Sequence, residues 1–156
     1  MVLVKNKINI MNWTEYFLNI AEQVKLKSKD ESTQIGVVVS GVDNEVITTG
    51  YNSFPRGLDD SLPERQLRPE KYFWIEHAER NAIYNAARIG VSLKGATIYL
   101  TSGLPCMDCA RGIVQSGIKK VVCKEVCTTK NKEKWLESQS KSVELLKECG
   151  VEVEYY

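Results

Sequence analysis

Residues 96–124 read ATIYLTSGLPCMDCARGIVQSGIKKVVCK. Ala96–Thr101 and Lys119–Lys124 are apolar, β-branched runs of strand length, and Cys106–Ser116 between them has helical spacing and stops at Gly117. A strand, a helix and a strand in succession need a crossover connection, so the two strands lie parallel. The alternation continues downstream, where Lys132–Cys149 predicts a helix ending at Gly150 and Val151–Tyr155 a last strand. Upstream, Glu76–Ile89 predicts a helix closing on Gly90, and Ile35–Ser40 with Val46–Tyr51 predicts a hairpin turning at Gly41-Val42-Asp43-Asn44. A first amphipathic helix follows Asn12, a capping residue, with Trp13, Phe17, Ile20, Ala21 and Val24 at helical spacing. The resulting order, α, β, β, α, β, α, β, α, β, predicts an α/β fold with a largely parallel sheet and helices on both faces. In such sheets ligands collect beyond the carboxyl ends of the strands, where the next helices begin.

The chain has 156 residues, a length suited to one domain, and no internal repeat, low-complexity tract or linker interrupts it. Residues 1–11, rich in Lys and Asn, read as an extended arm, and 12–156 as the single domain. Lys plus Arg number 21 against 20 for Asp plus Glu, so the chain lacks the basic excess that suits nucleic acid or an acidic membrane. No apolar stretch approaches the roughly 18 residues of a membrane span, and the first residues carry no secretory pattern. Five cysteines, none before Cys106, make a poor disulfide framework and fit a reducing cytoplasm. Asn52–Trp74 holds Pro55, Pro63 and Pro69 with Arg56, Arg65 and Arg68 and shows no period. Such a loop is either a solvated surface excursion or a cover over a site that meets an anion.

The single histidine, His77, stands at a predicted helix start in the sequence Glu76-His77-Ala78-Glu79. Cys106 and Cys109, at i and i+3, open another helix after Pro105, so both thiols point the same way and the helix end favours thiolates. One imidazole and two thiolates make three ligands for a tetrahedral zinc, with the fourth position left for water. Glu79 is the candidate acid–base group beside it. A Cys-x-x-Cys pair alone also serves thiol–disulfide proteins and non-catalytic zinc modules, but those readings leave His77 or Glu79 without a use. A His-x-Glu placed 29 residues before the first cysteine of Pro-Cys-x-x-Cys is the pattern of zinc nucleobase deaminases.

His77-Ala78-Glu79 with Asn81-Ala82-Ile83, Gly50-Tyr51-Asn52 with Pro55-Arg56-Gly57, and Pro105–Cys109 with Ala110-Arg111 together resemble the deoxycytidylate (dCMP) deaminases over residues 13–124. The resemblance implies the cytidine deaminase fold, a five-stranded mixed sheet in three α/β/α layers. It also implies hydrolysis of dCMP to dUMP and ammonia, a homo-oligomer (dimer or hexamer), and dCTP and dTTP as effectors. By the same resemblance His77, Cys106 and Cys109 hold zinc and Glu79 shuttles the proton. The Ala78 amide meets the pyrimidine carbonyl, Asn52 the sugar hydroxyl and Arg56 the phosphate. The competing activity is that of another zinc deaminase, acting on tRNA adenosine, a nucleoside or a free base.

Two features depart from the family pattern. Thr101-Ser102-Gly103-Leu104 runs one residue longer before Pro105, and the loop after Pro55 is rich in Arg and Pro in its own manner. Some relatives bind a second zinc through cysteines and histidines of their first halves. Neither residue type occurs here before His77, so one zinc per chain is expected, with Cys123, Cys127 and Cys149 left as free thiols.

Overall fold

A computed structural model describes residues 10–125 and 132–156. Helix α1 (Trp13–Lys25) leads into the hairpin β1 (Gly36–Ser40) and β2 (Val46–Tyr51). Helix α3 (Ala78–Ile89) follows the short α2 (Lys71–Trp74), and then come β3 (Thr97–Leu100), α4 (Met107–Gln115), β4 (Lys120–Cys123), α5 (Lys132–Glu148) and β5 (Glu152–Tyr155). The sheet order is β2-β1-β3-β4-β5. β1 runs antiparallel to both β2 and β3, while β3, β4 and β5 are mutually parallel, so the sheet is mixed and its parallel part is the stretch built on crossovers.

The alternation of side chains along each strand separates two cores. Val38, Tyr99 and Val122 face α1 and pack on Phe17, Leu18 and Ala21. Their neighbours Val37, Val39, Ile98, Leu100 and Val121 face the other way, onto Ala78, Ala82 and Ala86 of α3, Ala110 and Ile113 of α4 and Leu146 of α5. The layers are therefore α1, sheet, and α3 with α4 and α5, the three-layer arrangement expected.

The alanines of α3 bring that helix against β2, where Gly50 leaves the room: a Cβ there would lie 2.3 Å from the Ala78 carbonyl oxygen and 2.5 Å from the Ala82 nitrogen. β2 is an edge strand, and since the Asn52 N–H points inward to the Ile35 oxygen, the carbonyls of Thr49 and Tyr51 point out. α3 covers them. Asn81 Nδ2 donates to the Tyr51 oxygen at 2.9 Å and Asn85 Nδ2 to the Thr49 oxygen at 2.7 Å.

Two expectations change in detail. Segment 52–74 is not without structure, since Pro63–Gln66 forms a 3-10 turn and Lys71–Trp74 a helical turn. Both are too short to leave a periodic trace in the sequence. α3 begins at Ala78 rather than Glu76, because Glu76 pairs its backbone with Ser53 as an isolated β-bridge. Cys123 is buried and Cys149 exposed, both as free thiols, whereas Cys127 and residues 1–9 of the arm lie outside the described residues.

Candidate active site

His77 is the N-cap of α3 and Cys106 the N-cap of α4, both with extended backbone (ψ 150° and 168°), and Cys109 lies in the first turn of α4. The two helix starts meet beyond the ends of β2 and β3, and the ligand atoms of His77, Cys106 and Cys109 all fall within 4.8 Å of one another. His77 Nδ1 is 3.4 Å from each sulfur. Tetrahedral zinc with bonds of about 2.3 Å to sulfur and about 2.05 Å to nitrogen requires nitrogen–sulfur separations of about 3.5 Å, so the three side chains fit the ion as they stand. Among the described residues no other His, Cys, Asp or Glu joins the group, which offers three candidate ligands.

The extended conformation at His77 also explains how His77 and Glu79 reach one place. Two residues apart on a regular helix they would diverge by about 200°. Because His77 precedes the helix, the spacing of a regular helix does not apply. Glu79 is 4% exposed. Burial drives its carboxyl above the ordinary range, against the opposing charge of His77. For His77, burial favours the neutral ring, but the hydrogen bond with Cys106 and the charge of Glu79 outweigh it and raise the pKa. Hydrogen bonding from Cys109 and His77 holds the Cys106 thiol down to about 4, while Cys109, the donor of the pair and itself buried, is pushed up.

Glu76, adjacent to the histidine, has a different task. Its carboxylate accepts from Arg80 Nε at 2.6 Å and from the His77 backbone N–H at 2.9 Å. Ala78 is fully buried at the first helical position of α3, so its N–H is one of the amides that a helix leaves without an intrahelical acceptor.

Asn52 is buried, and most of its amide is already engaged. Nδ2 donates to the Thr33 oxygen at 2.8 Å and to Asp30 Oδ2 at 3.3 Å, and Oδ1 accepts from the Ile35 N–H at 2.7 Å. One lone pair of Oδ1 is left over. The Arg56 guanidinium donates to Asn85 Oδ1, and it lines a cleft of about 480 Å³ whose walls run from Ser53 and Glu76, next in sequence to Asn52 and His77, out to Lys27, Lys29 and Arg88.

Sequence reading also missed a buried ion pair behind Asn52. Lys71 Nζ donates to both oxygens of Asp30, at 2.8 and 2.7 Å, and to Ser32 Oγ at 2.6 Å. The side chains are 7% and 5% exposed. Asp30 further accepts from the Ser32 N–H and Oγ and the Thr33 N–H. The pair ties the segment before α3 to the turn before β1, with Asn52 hydrogen-bonded to the same carboxylate. Nothing in local spacing links positions 30 and 71; the signal was the unusual length of the Pro- and Arg-rich segment.

Comparison with known proteins gives concordant matches. The family described as "Cytidine and deoxycytidylate deaminase zinc-binding region" matches residues 11–125. The chain is 39% identical to an uncharacterized deaminase of Aliivibrio fischeri over 92% of this chain and 93% of that protein. It is 36% identical to the deoxycytidylate deaminase of Homo sapiens, covering 78% of this chain and 69% of the human protein. It also resembles the crystal structure of dCMP deaminase from the cyanophage S-TIM5 in complex with dCMP and dUMP, with 25% identity and a TM-score of 0.73 over 94% of this chain and all of that one.

Proposed function

The chain belongs to the cytidine and deoxycytidylate deaminase zinc-binding family, and we propose that it hydrolyses dCMP to dUMP and ammonia. The observation that carries the reading is the His77–Cys106–Cys109 group with a buried Glu79 beside it, in a chain similar to deoxycytidylate deaminases over most of its length. A zinc ion held by the three ligands would supply a Lewis acid that makes water nucleophilic near neutral pH.

The chain's own residues do the rest. Glu79, with its carboxyl raised by burial, takes a proton from water and delivers it to N3 of the cytosine, then takes the second proton from the oxygen newly bonded to C4 and passes it to the departing amine. The bond from C4 to nitrogen breaks, a bond from C4 to the water oxygen replaces it, and ammonia leaves. The Ala78 N–H donates to the pyrimidine carbonyl, and the remaining Oδ1 lone pair of Asn52 accepts from the sugar hydroxyl. Three neighbouring groups already hold the Asn52 amide, so the acceptor is fixed before substrate arrives. Arg56, in one cleft with Ser53 and Glu76, is the candidate for the phosphate.

The same reading includes one zinc per chain, a homo-oligomer responsive to dCTP and dTTP, and work in a reducing cytoplasm, in keeping with the free thiols. No helix among the described residues is long and apolar enough to cross a membrane. Ammonia release from dCMP, deoxycytidine, dCTP, cytosine and adenosine tests the substrate, with and without dCTP and dTTP. Preference for dCMP is expected. Turnover of a free nucleoside or base alone would reassign the chain to another deaminase activity.

A further inference from the structure

The first cysteine ligand sits on a short piece of chain, Leu104-Pro105-Cys106-Met107, that leads from the end of β3 into α4, whose first turn carries the second, Cys109. α4 begins without a side-chain cap of the ordinary kind, since its N-cap residue is Cys106. The first helical amide, the Met107 N–H, instead donates to Ser138 Oγ of α5 at 2.9 Å. One residue further along α5, Gln139 Nε2 donates to the Leu104 carbonyl oxygen at 3.0 Å. Two consecutive residues of α5 therefore grip the backbone on both sides of Pro105-Cys106. α5 is itself fixed by Leu146 in the core and by Ser142, fully buried, whose hydroxyl donates to the Gln139 carbonyl at 2.9 Å. Ser138 and Gln139 lie beyond residues 11–125, the span matched by the zinc-binding family.

We propose that Ser138 and Gln139 are positioning residues for the metal: they hold the backbone that carries Cys106 and so set how firmly the zinc is retained. The inference rests on the zinc-binding reading of His77, Cys106 and Cys109. Outer groups that orient metal ligands typically contribute about 10–100-fold to metal affinity. Ser138 replaces a missing cap at the helix that presents both thiolates, while Gln139 prevents the residue before the proline from swinging away.

The test follows zinc transfer from the full-length holoprotein to a chromogenic chelator in the wild type, Ser138→Ala, Gln139→Ala, the double variant, Ser138→Thr, and Ser140→Ala, an exposed neighbour used as control. The double variant should release zinc about 10-fold or more faster. Ser138→Thr, which keeps the acceptor oxygen, should restore the wild-type rate, and Ser140→Ala should change nothing. Thermal unfolding of the same proteins separates a local from a global effect. Faster release together with an unchanged unfolding midpoint supports the proposal. An unchanged release rate, or release that rises only in proportion to lost stability without rescue by threonine, overturns it. Wild-type protein that binds no zinc would defeat the metal reading itself.

Discussion

Replacing Lys71 by Met removes the ammonium but keeps most of the aliphatic stem, and leaves the Asp30 carboxylate buried without its counter-ion. Truncating one member of a buried ion pair costs about 3–5 kcal/mol, because the remaining charge is stranded. Asp30 would keep donors from the Ser32 N–H, Ser32 Oγ, the Thr33 N–H and Asn52 Nδ2, which argues for the lower end. A loss of about 3 kcal/mol is about a 150-fold change in the folding equilibrium. With a urea dependence of about 2 kcal/mol per molar, it lowers the unfolding midpoint by about 1.5 M. Urea denaturation of Lys71→Met, Asp30→Asn and the double variant measures this directly. The double variant should be less destabilised than the sum of the single ones, since it buries no unpaired charge.

The sign of the pH dependence follows from Asp30. Burial opposes its ionisation, but hydrogen bonds from Lys71, Ser32 and Thr33 prevail and hold the carboxyl below its ordinary value. The stabilisation from the ionised Asp30 is thus complete above the unfolded value of about 3.9 and disappears as pH falls through the lower folded value. The deficit of Lys71→Met should be full at pH 7 and shrink as Asp30 protonates. A cost below about 1 kcal/mol, as for an exposed pair, or strict additivity in the double variant, would refute the argument.

The site yields three further tests. Glu79→Gln should retain zinc and lose about 10²–10⁴-fold in turnover, measured as dCMP deamination beside metal content; wild-type turnover would remove Glu79 from the proton path. Gly50→Ala would force a methyl group against the Ala78 oxygen and the Ala82 nitrogen, which are backbone atoms that cannot step aside alone. The expected cost is about 1–3 kcal/mol, with zinc occupancy and activity falling as the start of α3 shifts; calorimetry and metal analysis of one preparation check both. Arg56→Ala should lower the preference for dCMP over deoxycytidine, and an unchanged ratio would take Arg56 away from the phosphate.

Much of this was legible in the sequence because it is local. Gly90 and Gly117 end helices, the β-branched runs around Gly41–Asn44 make a hairpin, and Cys106 and Cys109 share one face by their spacing. His77 could be joined to the cysteines across 29 residues only because their chemistry is so restrictive. Other features depend on contacts that no spacing encodes. Asp30 and Lys71 look like two solvated charges until the turn before β1 and the segment before α3 come together. Ser138 and Gln139 look like polar positions on a surface helix, and their targets are backbone groups of another segment, invisible to any pattern of side chains.

Asn81 and Asn85 bear on more than the folding of one chain. An edge strand with bare carbonyls invites strands from other molecules, and here two outward acceptors of β2, the Thr49 and Tyr51 carbonyls, are occupied from α3 by asparagines four residues apart. The helix that His77 caps therefore also covers the border of the sheet. Damage that loosens it would cost colloidal solubility together with turnover, and any assembly that adds strands at this border would first have to displace both asparagines.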